Sequence, residues 1–496
     1  MNLTLGKLSI YIAIAAIILT AVIVLGTKKS KAWWMSYLQN FTGLLFIFSG
    51  FVKAIDPLGT AYKMEQYFAE FETTFQATSA SFLAPLFPWL SEYSIGFSVF
   101  MIVLEIILGI MLVVGSRPKL TAWLFLLMIL FFAFLTGFTY LTAYVPSGVN
   151  FFDFAQWGPY KETNMRVTDC GCFGDFLKLV PRVSFFKDLV LLVPAILFVV
   201  KSKLMHQLFT PVNRSWMLGI STLCLLYYCM SNYVWQLPQF DFRPFKIGAD
   251  VAAKYKEEKD AAGAVKVLAF VLKNKETGEV KEVAYNDYMK NYAAYPAEVW
   301  ETIDQIKTEP TVAHTKISDF HIETPEGSDV TDVYLENPKY HFMLVSHKSY
   351  LNTETTKKMV PDSIFVSDTV ITLKDTSIVM RLDTVLQKEV TSNSYIFEKA
   401  YFEDFAGPLK TFMQEAIADG NEVSILTGGL GVEASKALES QLGVEGVRYF
   451  TADNILLKTI VRSNPGIVLW KDGKIVYKWH KKQLPAFSEV KSKYIK

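Results

Sequence analysis

An α-helical membrane bundle of about six spans, followed by a C-terminal α/β domain, is the fold class this sequence predicts. Three observations lead there. The chain has 496 residues, 51% of them hydrophobic, and the apolar residues gather before residue 236. That part contains six long apolar runs. Beyond residue 315, short strand-like runs alternate with segments of helical spacing. A chain of this length allows about two to four domains. The net charge is +1, so no overall field favours nucleic acid, and no Lys/Arg tract with interleaved aromatics occurs.

A spanning helix needs about 20 apolar residues. The runs near 8–26, 36–55, 95–115, 119–144, 185–201 and 215–235 meet or approach that length, the fifth being the shortest. The first exceeds the roughly 7–15 apolar residues of a signal peptide and ends in Thr27-Lys28-Lys29, which predicts a retained helix. The short odd-numbered connections are basic. They carry Lys28, Lys29 and Lys31, then Arg117 and Lys119, then Lys201, Lys203 and Arg214. Such connections belong in the cytoplasm. The second connection carries Asp56, Glu65, Glu70, Glu72 and Glu92 against the single base Lys63, and is expected outside. The fourth connection and everything after 236 then lie outside as well. The expected divisions are a helix in 1–35, a membrane domain in 36–201, a last helix in 202–236 and a linker in 237–263. A small β-containing extension in 264–313 and an α/β domain in 314–490 follow, the latter interrupted by a polar insertion near 352–395.

The fourth connection contains Asp169-Cys170-Gly171-Cys172-Phe173-Gly174-Asp175, which holds two of the four cysteines. Two residues of extended chain span about 7 Å, at the limit for a disulfide. Gly171 lets the backbone contract, and a bridge formed there is expected to be strained and oxidising. Asp169 and Asp175 are expected to raise the thiol pKa. Thiol redox chemistry at Cys170 and Cys172 competes with two other readings, a static bridge and half of a metal site. Zinc is disfavoured because no His or second Cys pair is near. Cys224 and Cys229 share the last span, about 9 Å apart on a helix. Cys229 is either a resolving thiol for the loop pair or, with Cys224, a small buried apolar side chain.

Glu105 falls within the third span, where an ionisable group is a functional candidate. It is expected either to assist proton or quinone chemistry or to make an interhelical hydrogen bond. Lys53, followed by Asp56, ends the second span. It offers an ion pair or relay with Glu105, or snorkels to the headgroups. Aromatic residues crowd the span ends in the manner of interface belts.

Three segments carry a family resemblance: GLLFIFSGFVKAIDPLGTAYKMEQY (43–67), EIILGIMLVVG (105–115) and TDCGCFG (168–174). Together they resemble the DoxX/MauE group of membrane proteins over roughly 36–201. The resemblance implies a four-helix core and, from the CGCFG element, a tie to disulfide formation in periplasmic partners. Other DoxX-like members imply quinol-oxidase association.

In the outer region, 265–274 and 279–288 are expected to form a hairpin, and 315–335 to form strands around a Pro-Glu-Gly turn. HFMLVS (341–346) is a short buried strand, and 402–419 has helical spacing. Strands at 422–428 and 447–453 alternate with helices at 433–442 and 454–462, closed by a hairpin at 463–480. The order resembles thioredoxin of the membrane-anchored periplasmic type, most specifically in SNPGIVLWKDGKIV. Pro465 takes the place of the thioredoxin cis-proline, and the resemblance makes Asn464 and Pro465 the partner-binding edge. The departure is plain. The position of the thioredoxin Cys-x-x-Cys reads SHKSYLNT, and no cysteine follows residue 229. Without a thiolate this domain cannot exchange disulfides. His347 and Ser349 near that position offer a Ser–His nucleophile or a solvated loop end. His341 and His480 fall in expected strands.

The combined expectation is a bacterial inner-membrane protein of envelope thiol–disulfide redox or protein maturation. Its outer domain would lie in the periplasm and bind clients or thioredoxin-like partners. A membrane quinone or another redox protein is the candidate electron acceptor, and no metal is called for. The alternative is a non-catalytic receptor or assembly factor that uses the outer domain as a binding surface.

Overall fold

A helix satisfies its backbone amides within its own segment, which a bilayer demands, and the apolar runs take that form. The computed structural model describes residues 4–167, 171–372 and 375–495. The chain divides into a first unit, Met1–Lys246, and a second, Ile247–Lys496.

In the first unit, α1 spans Leu5–Ala21 and continues as a π turn to Thr27. α2 is Trp33–Ile55, α3 Pro57–Gln76, α4 Leu86–Glu92 and α5 Ser94–Val114. α6 is Pro118–Thr142, α7 Pro181–Val200 and α8 Pro211–Met230, which runs on through a π turn to Trp235. Among the described residues, six of these helices are long and apolar enough to cross a membrane: α1, α2, α5, α6, α7 and α8. They are the six expected runs, with ends that differ by a few residues. α1 and α8 turn wide apolar faces outward, through Ile14, Ile17 and Ile18 on one and Trp216, Ile220 and Leu223 on the other. A face of that kind is stable only against lipid or another apolar surface.

The connection at 56–94, expected as an outer loop, is largely helical. Asp56 starts α3 by accepting from the Gly59 amide at 3.1 Å, and Pro57 occupies the first turn, where its missing N–H costs nothing. Leu58, Ala61, Met64, Tyr67, Phe68 and Phe71 are buried along one face. Of the acidic residues that marked this segment as exterior, Glu65, Glu70 and Glu72 occupy the rest of α3, Asp56 caps it and Glu92 ends α4.

α2 and α5 touch through their backbones. A Cβ added at Gly43 would stand 2.8 Å from the Gly109 carbonyl oxygen, and one added at Gly109 would stand 2.7 Å from that of Gly43. Small residues at such a crossing let two membrane helices approach closely. At the end of α5, the Gln39 side chain donates to the Leu112 carbonyl at 3.1 Å and accepts from the His206 amide at 2.8 Å. His206 reaches the Val113 carbonyl at 2.8 Å, and Arg214 donates to the Gly115 carbonyl at 2.6 Å. Carbonyls that a helix end leaves without intrahelical partners are thus met by Gln39 of α2, by His206 of the α7–α8 connection and by Arg214 of α8. Burial pushes the His206 pKa down.

The second unit begins with α9, Val251–Gly263. Strands β1 (Val267–Asn274), β2 (Val280–Ala284) and β3 (Trp300–Lys307) form an antiparallel sheet in the order β2-β1-β3, with α10 (Tyr285–Lys290) between β2 and β3. The expected second strand therefore stops at Ala284, and β3 completes a sheet where only a hairpin was expected. The 315–335 segment holds the two-residue β4 (Ile322–Glu323) and α11 (Thr331–Leu335), not a pair of strands. β5 (His341–Ser346) is buried along its whole length. β6 (Leu351–Thr372) and β7 (Asp375–Phe397) pair antiparallel as a long hairpin. Then come α12 (Lys399–Asp404), α13 (Lys410–Ala418), β8 (Glu422–Gly428), α14 (Val432–Leu442), β9 (Val447–Ala452), α15 (Asn454–Ile460), β10 (Gly466–Lys471), β11 (Lys474–His480) and α16 (Phe487–Tyr494). The helix expected over 402–419 is broken at Gly407-Pro408, because a proline ring removes a donor and crowds the preceding turn.

Among the described residues, the larger sheet has six strands in the order β11-β10-β5-β8-β9-β4. β5, β8 and β9 run parallel, and β10, β11 and β4 run antiparallel to their neighbours. Phe342 and Leu344 of β5 face a core with Phe405, Phe412, Leu438 and Phe487. Alternation sends His341 to the other face, beside Tyr334 and Trp470. Helices therefore cover both faces, as side chains alternating on a buried strand require.

Gly109→Ala pushes a methyl into the α2 backbone and is expected to cost about 1–3 kcal/mol. Gly96→Ala, on the same helix with nothing within 4 Å of the added atom, is expected to be neutral or slightly stabilising. Thermal unfolding of the two variants in detergent checks the contrast.

Candidate functional site

Two ionised side chains within an apolar bundle persist only if they meet. Lys53 at the end of α2 and Glu105 in α5 are both buried, and Lys53 Nζ lies 2.7 Å from Glu105 Oε2. The antiparallel contact of α2 and α5 brings the two positions opposite each other. The ammonium also stands 4.8 Å from the centre of the Phe132 ring in α6, a cation–π distance. Of the two roles open to Lys53, the ion pair is the one formed. Asp56 caps α3.

This pair forms one wall of a cavity of about 60 Å³, room for a few waters, enclosed by α2, α3, α5, α6, α7 and the start of the 171–180 loop. A second ion pair lines it. Asp188 of α7 is fully buried and accepts from Thr136 Oγ1 of α6 at 2.9 Å and from the Lys187 ammonium. Both of its oxygens are therefore engaged.

Cys172 closes the cavity from the loop side. Its carbonyl accepts from Ser49 Oγ of α2 at 2.8 Å, which ties the loop to the bundle. Gly171 and Gly174 both have positive φ, 60° and 52°, a conformation that glycine adopts without penalty. The Gly174 amide donates to the Gly171 carbonyl at 3.1 Å, so the chain turns tightly and inserts Phe173 into the core. A Cβ at position 171 would stand 3.3 Å from Lys63 Cγ, so the lysine stem of α3 lies against that turn. Cys170 and its neighbour Asp169 lie outside the described residues.

Burial pushes the Cys172 thiol up. Lys187 opposes this, Asp188 adds to it, and Lys53 and the Ser184 hydroxyl oppose it more weakly. The direction agrees with the sequence expectation, but the cause differs. Desolvation leads, and the acidic neighbour is Asp188 of α7. Asp175 stands 3.5 Å from Lys178. Cys229 is buried in a separate cluster with Ala54, Val103 and Ile106, and Cys224 is exposed. Neither lines the cavity.

Sequence reasoning placed Lys53, Glu105 and Cys172 on the list of candidates, and the bundle brings all three to one cavity. It passed over Lys187, Asp188, Thr136 and Lys63. The signal for the first two was present, since they are adjacent charges inside an otherwise apolar run.

In the second unit, the Asn464–Pro465 bond is cis. Asn464 holds the segment after β5: its Nδ2 donates to the Lys348 carbonyl at 2.8 Å and its Oδ1 accepts from Ser346 Oγ at 3.2 Å. Ser346 Oγ is also 2.8 Å from the Tyr401 hydroxyl. His347 is buried, and burial, then Lys458, Arg462 and Lys348, pushes its pKa down to about 3. It is neutral at pH 7. His341 lies stacked on Trp470 with ring centroids 6.0 Å apart, and burial, followed by Arg448, lowers its pKa to about 3. His341 is a packing element of the sheet, and His347 is buried just after the end of β5. Among the described residues, no group of three or more His, Cys, Asp or Glu side chains is arranged to hold a metal ion.

Compared with known proteins, the chain matches no family model, no curated protein and no solved structure.

Glu105→Leu leaves the Lys53 ammonium buried without its carboxylate and is expected to cost about 3–5 kcal/mol, whereas Lys53→Met combined with Glu105→Leu recovers most of the loss. Thermal unfolding in detergent measures both. In the second unit, the folded-state pKa values of His341 and His347 lie below their unfolded values near 6.5. Their contribution is complete above about pH 6.5 and is lost as pH falls toward 3. The slope is roughly 1.4 kcal/mol per pH unit for each ring. Between pH 6.5 and 5, His341→Leu is expected to flatten the pH dependence of unfolding by about one proton, as read from denaturant midpoints across that range.

Proposed function

We propose that this chain carries out thiol–disulfide exchange at a membrane, with Cys172 and its sequence neighbour Cys170 as the redox couple. The observation that supports it is the position of Cys172 over a buried cavity walled by two ion pairs, Lys53–Glu105 and Lys187–Asp188. A structural bridge needs no such surroundings. Reactive cysteines are governed by nearby cations and by burial.

The reaction balances as follows. A client thiolate attacks the Cys170–Cys172 disulfide, forming a mixed disulfide and releasing the other cysteine sulfur as a thiolate, which takes up a proton. The client's second thiolate then displaces the first cysteine, leaving an oxidised client and a reduced Cys170/Cys172 pair. Passing two electrons and two protons to a membrane quinone restores the disulfide and yields the quinol. Glu105, buried beside Lys53, is the carboxylate placed to hand on a proton.

The resemblance of residues 36–201 to the DoxX/MauE group supports this reading, since it ties the CGCFG element to disulfide formation. The basic short connections favour a bacterial inner membrane with the Cys-Gly-Cys loop and the second unit in the periplasm. The second unit is a thioredoxin-like domain that has no thiols and presents clients, using the edge at Asn464 and Pro465. Its parallel β5-β8-β9 core and antiparallel β10–β11 hairpin favour that kinship. A second reading, a receptor or assembly factor without redox turnover, draws on the same unit, because no cysteine lies beyond residue 229.

In Cys172→Ser the lone Cys170 thiolate attacks a client disulfide, forming a Cys170–client bond and releasing the client's other sulfur as a thiolate, and with no second cysteine to displace it this mixed disulfide is expected to accumulate. Non-reducing gels of acid-quenched cells should show that adduct, reductant should abolish it, and Cys170→Ser/Cys172→Ser should lack it. A pair never found as free thiols by mass-tag alkylation, in cells indifferent to Cys172→Ser, would establish the receptor reading instead.

A further inference from the structure

Lys187 and Asp188 are neighbours in α7, yet both line the cavity beneath Cys172. Asp188 is pinned, because Thr136 donates to one carboxylate oxygen at 2.9 Å and Lys187 holds the other. The carboxylate therefore fixes where the Lys187 ammonium sits. Of the cations around the cavity, Lys53 already faces Glu105 at 2.7 Å, and Lys63 on α3 donates to Gln66 at 2.9 Å. Lys187, Asp188 and Cys172 line the same cavity; burial holds the thiol pKa up, the Lys187 ammonium opposes that and the Asp188 carboxylate adds to it.

We infer that Lys187, positioned by Asp188 and Thr136, sets when Cys172 becomes a nucleophile: the ammonium supports the thiolate, and the carboxylate behind it limits that support. The role rests on the redox reading for its use. Ionisation sends the Cys172 proton to a solvent base and leaves a thiolate. The same equilibrium governs Cys172 as the sulfur released when a client thiolate attacks Cys170 of the Cys170–Cys172 disulfide: the Cys170–client bond forms, the Cys170–Cys172 bond breaks, and Cys172 leaves as a thiolate. The polar and titratable groups that share the cavity with Cys172 are Lys53 and Ser49 on α2, Lys63 and Tyr67 on α3, Glu105 on α5, Thr136 on α6, and Lys187 and Asp188 on α7, with the Ser184 hydroxyl also acting on the thiol. Within its own loop stands the Asp175–Lys178 pair. Burial disfavours the thiolate, so at rest the thiol is protonated and guarded. A cation held at a fixed place makes the ionised state reachable without exposing the sulfur.

Lys187 and Asp188 are positioning residues, and the readout is a titration, not activity. The full chain in detergent, in a Cys170→Ser background, is alkylated with neutral iodoacetamide across a pH series, and Cys172 modification is followed by peptide mass spectrometry. Lys187→Met is expected to move the midpoint up by about one pH unit or more, which below the midpoint is at least about a tenfold slower reaction. Lys187→Arg should restore the midpoint. Asp188→Asn should move it down. The plateau rate at high pH reports access to the sulfur and should be alike in all variants that melt as the parent does. An unmoved midpoint in Lys187→Met, or shifts of the same sign in Lys187→Met and Asp188→Asn, would overturn the assignment. A flat titration leaves the redox reading standing, while absence of client adducts in cells removes that reading and leaves the titration valid.

Discussion

The buried Lys53–Glu105 ion pair is the constraint from which the first unit takes its form. Neither charge tolerates apolar surroundings alone, so α2 and α5 must stay in register at that level. The backbone contact at Gly43 and Gly109 gives that register its closeness. Once the two helices are set, the remaining charged residues of the cavity fall into place around them. α7 brings Lys187 and Asp188, α6 brings Thr136, and the Cys172 loop is tied down by Ser49. The polar interior is thus a small, internally compensated cluster inside an apolar bundle.

How much of this could be read from the residues depends on the kind of signal. Six apolar runs stand out because a bilayer selects strongly for length and hydropathy, and the helices follow them closely. α3 escaped because its mean hydropathy is low, although Leu58, Ala61, Met64, Phe68 and Phe71 keep helical spacing. An amphipathic helix packed on one side against its neighbours looks like a loop to a test for spanning length. In the second unit the buried strands β5, β8 and β10 are short apolar runs and were legible. β3 was not, because WETIDQIK is largely exposed and has no apolar alternation. The break at Gly407-Pro408 was written in the residues, yet the helical spacing on both sides concealed it. Lys53, Glu105 and Cys172 were each noticed for their chemistry. That they share one cavity is a tertiary fact, set by which helix faces meet.

The second unit shows the opposite economy. Its polar buried groups are ordered by hydrogen bonds and stacking, as at Ser346, Tyr401 and Asn464 or at His341 and Trp470. None is an ion pair in a cavity. Asn464 there bonds to the segment that follows β5, through Ser346 and the Lys348 carbonyl.

Gln39, His206 and Arg214 knot the far end of α5 to the chain between α7 and α8. The α2–α5 pair is therefore held twice, by this set of polar contacts at one level and by the Lys53–Glu105 pair at another, with the two-glycine turn fastened to α2 through Ser49.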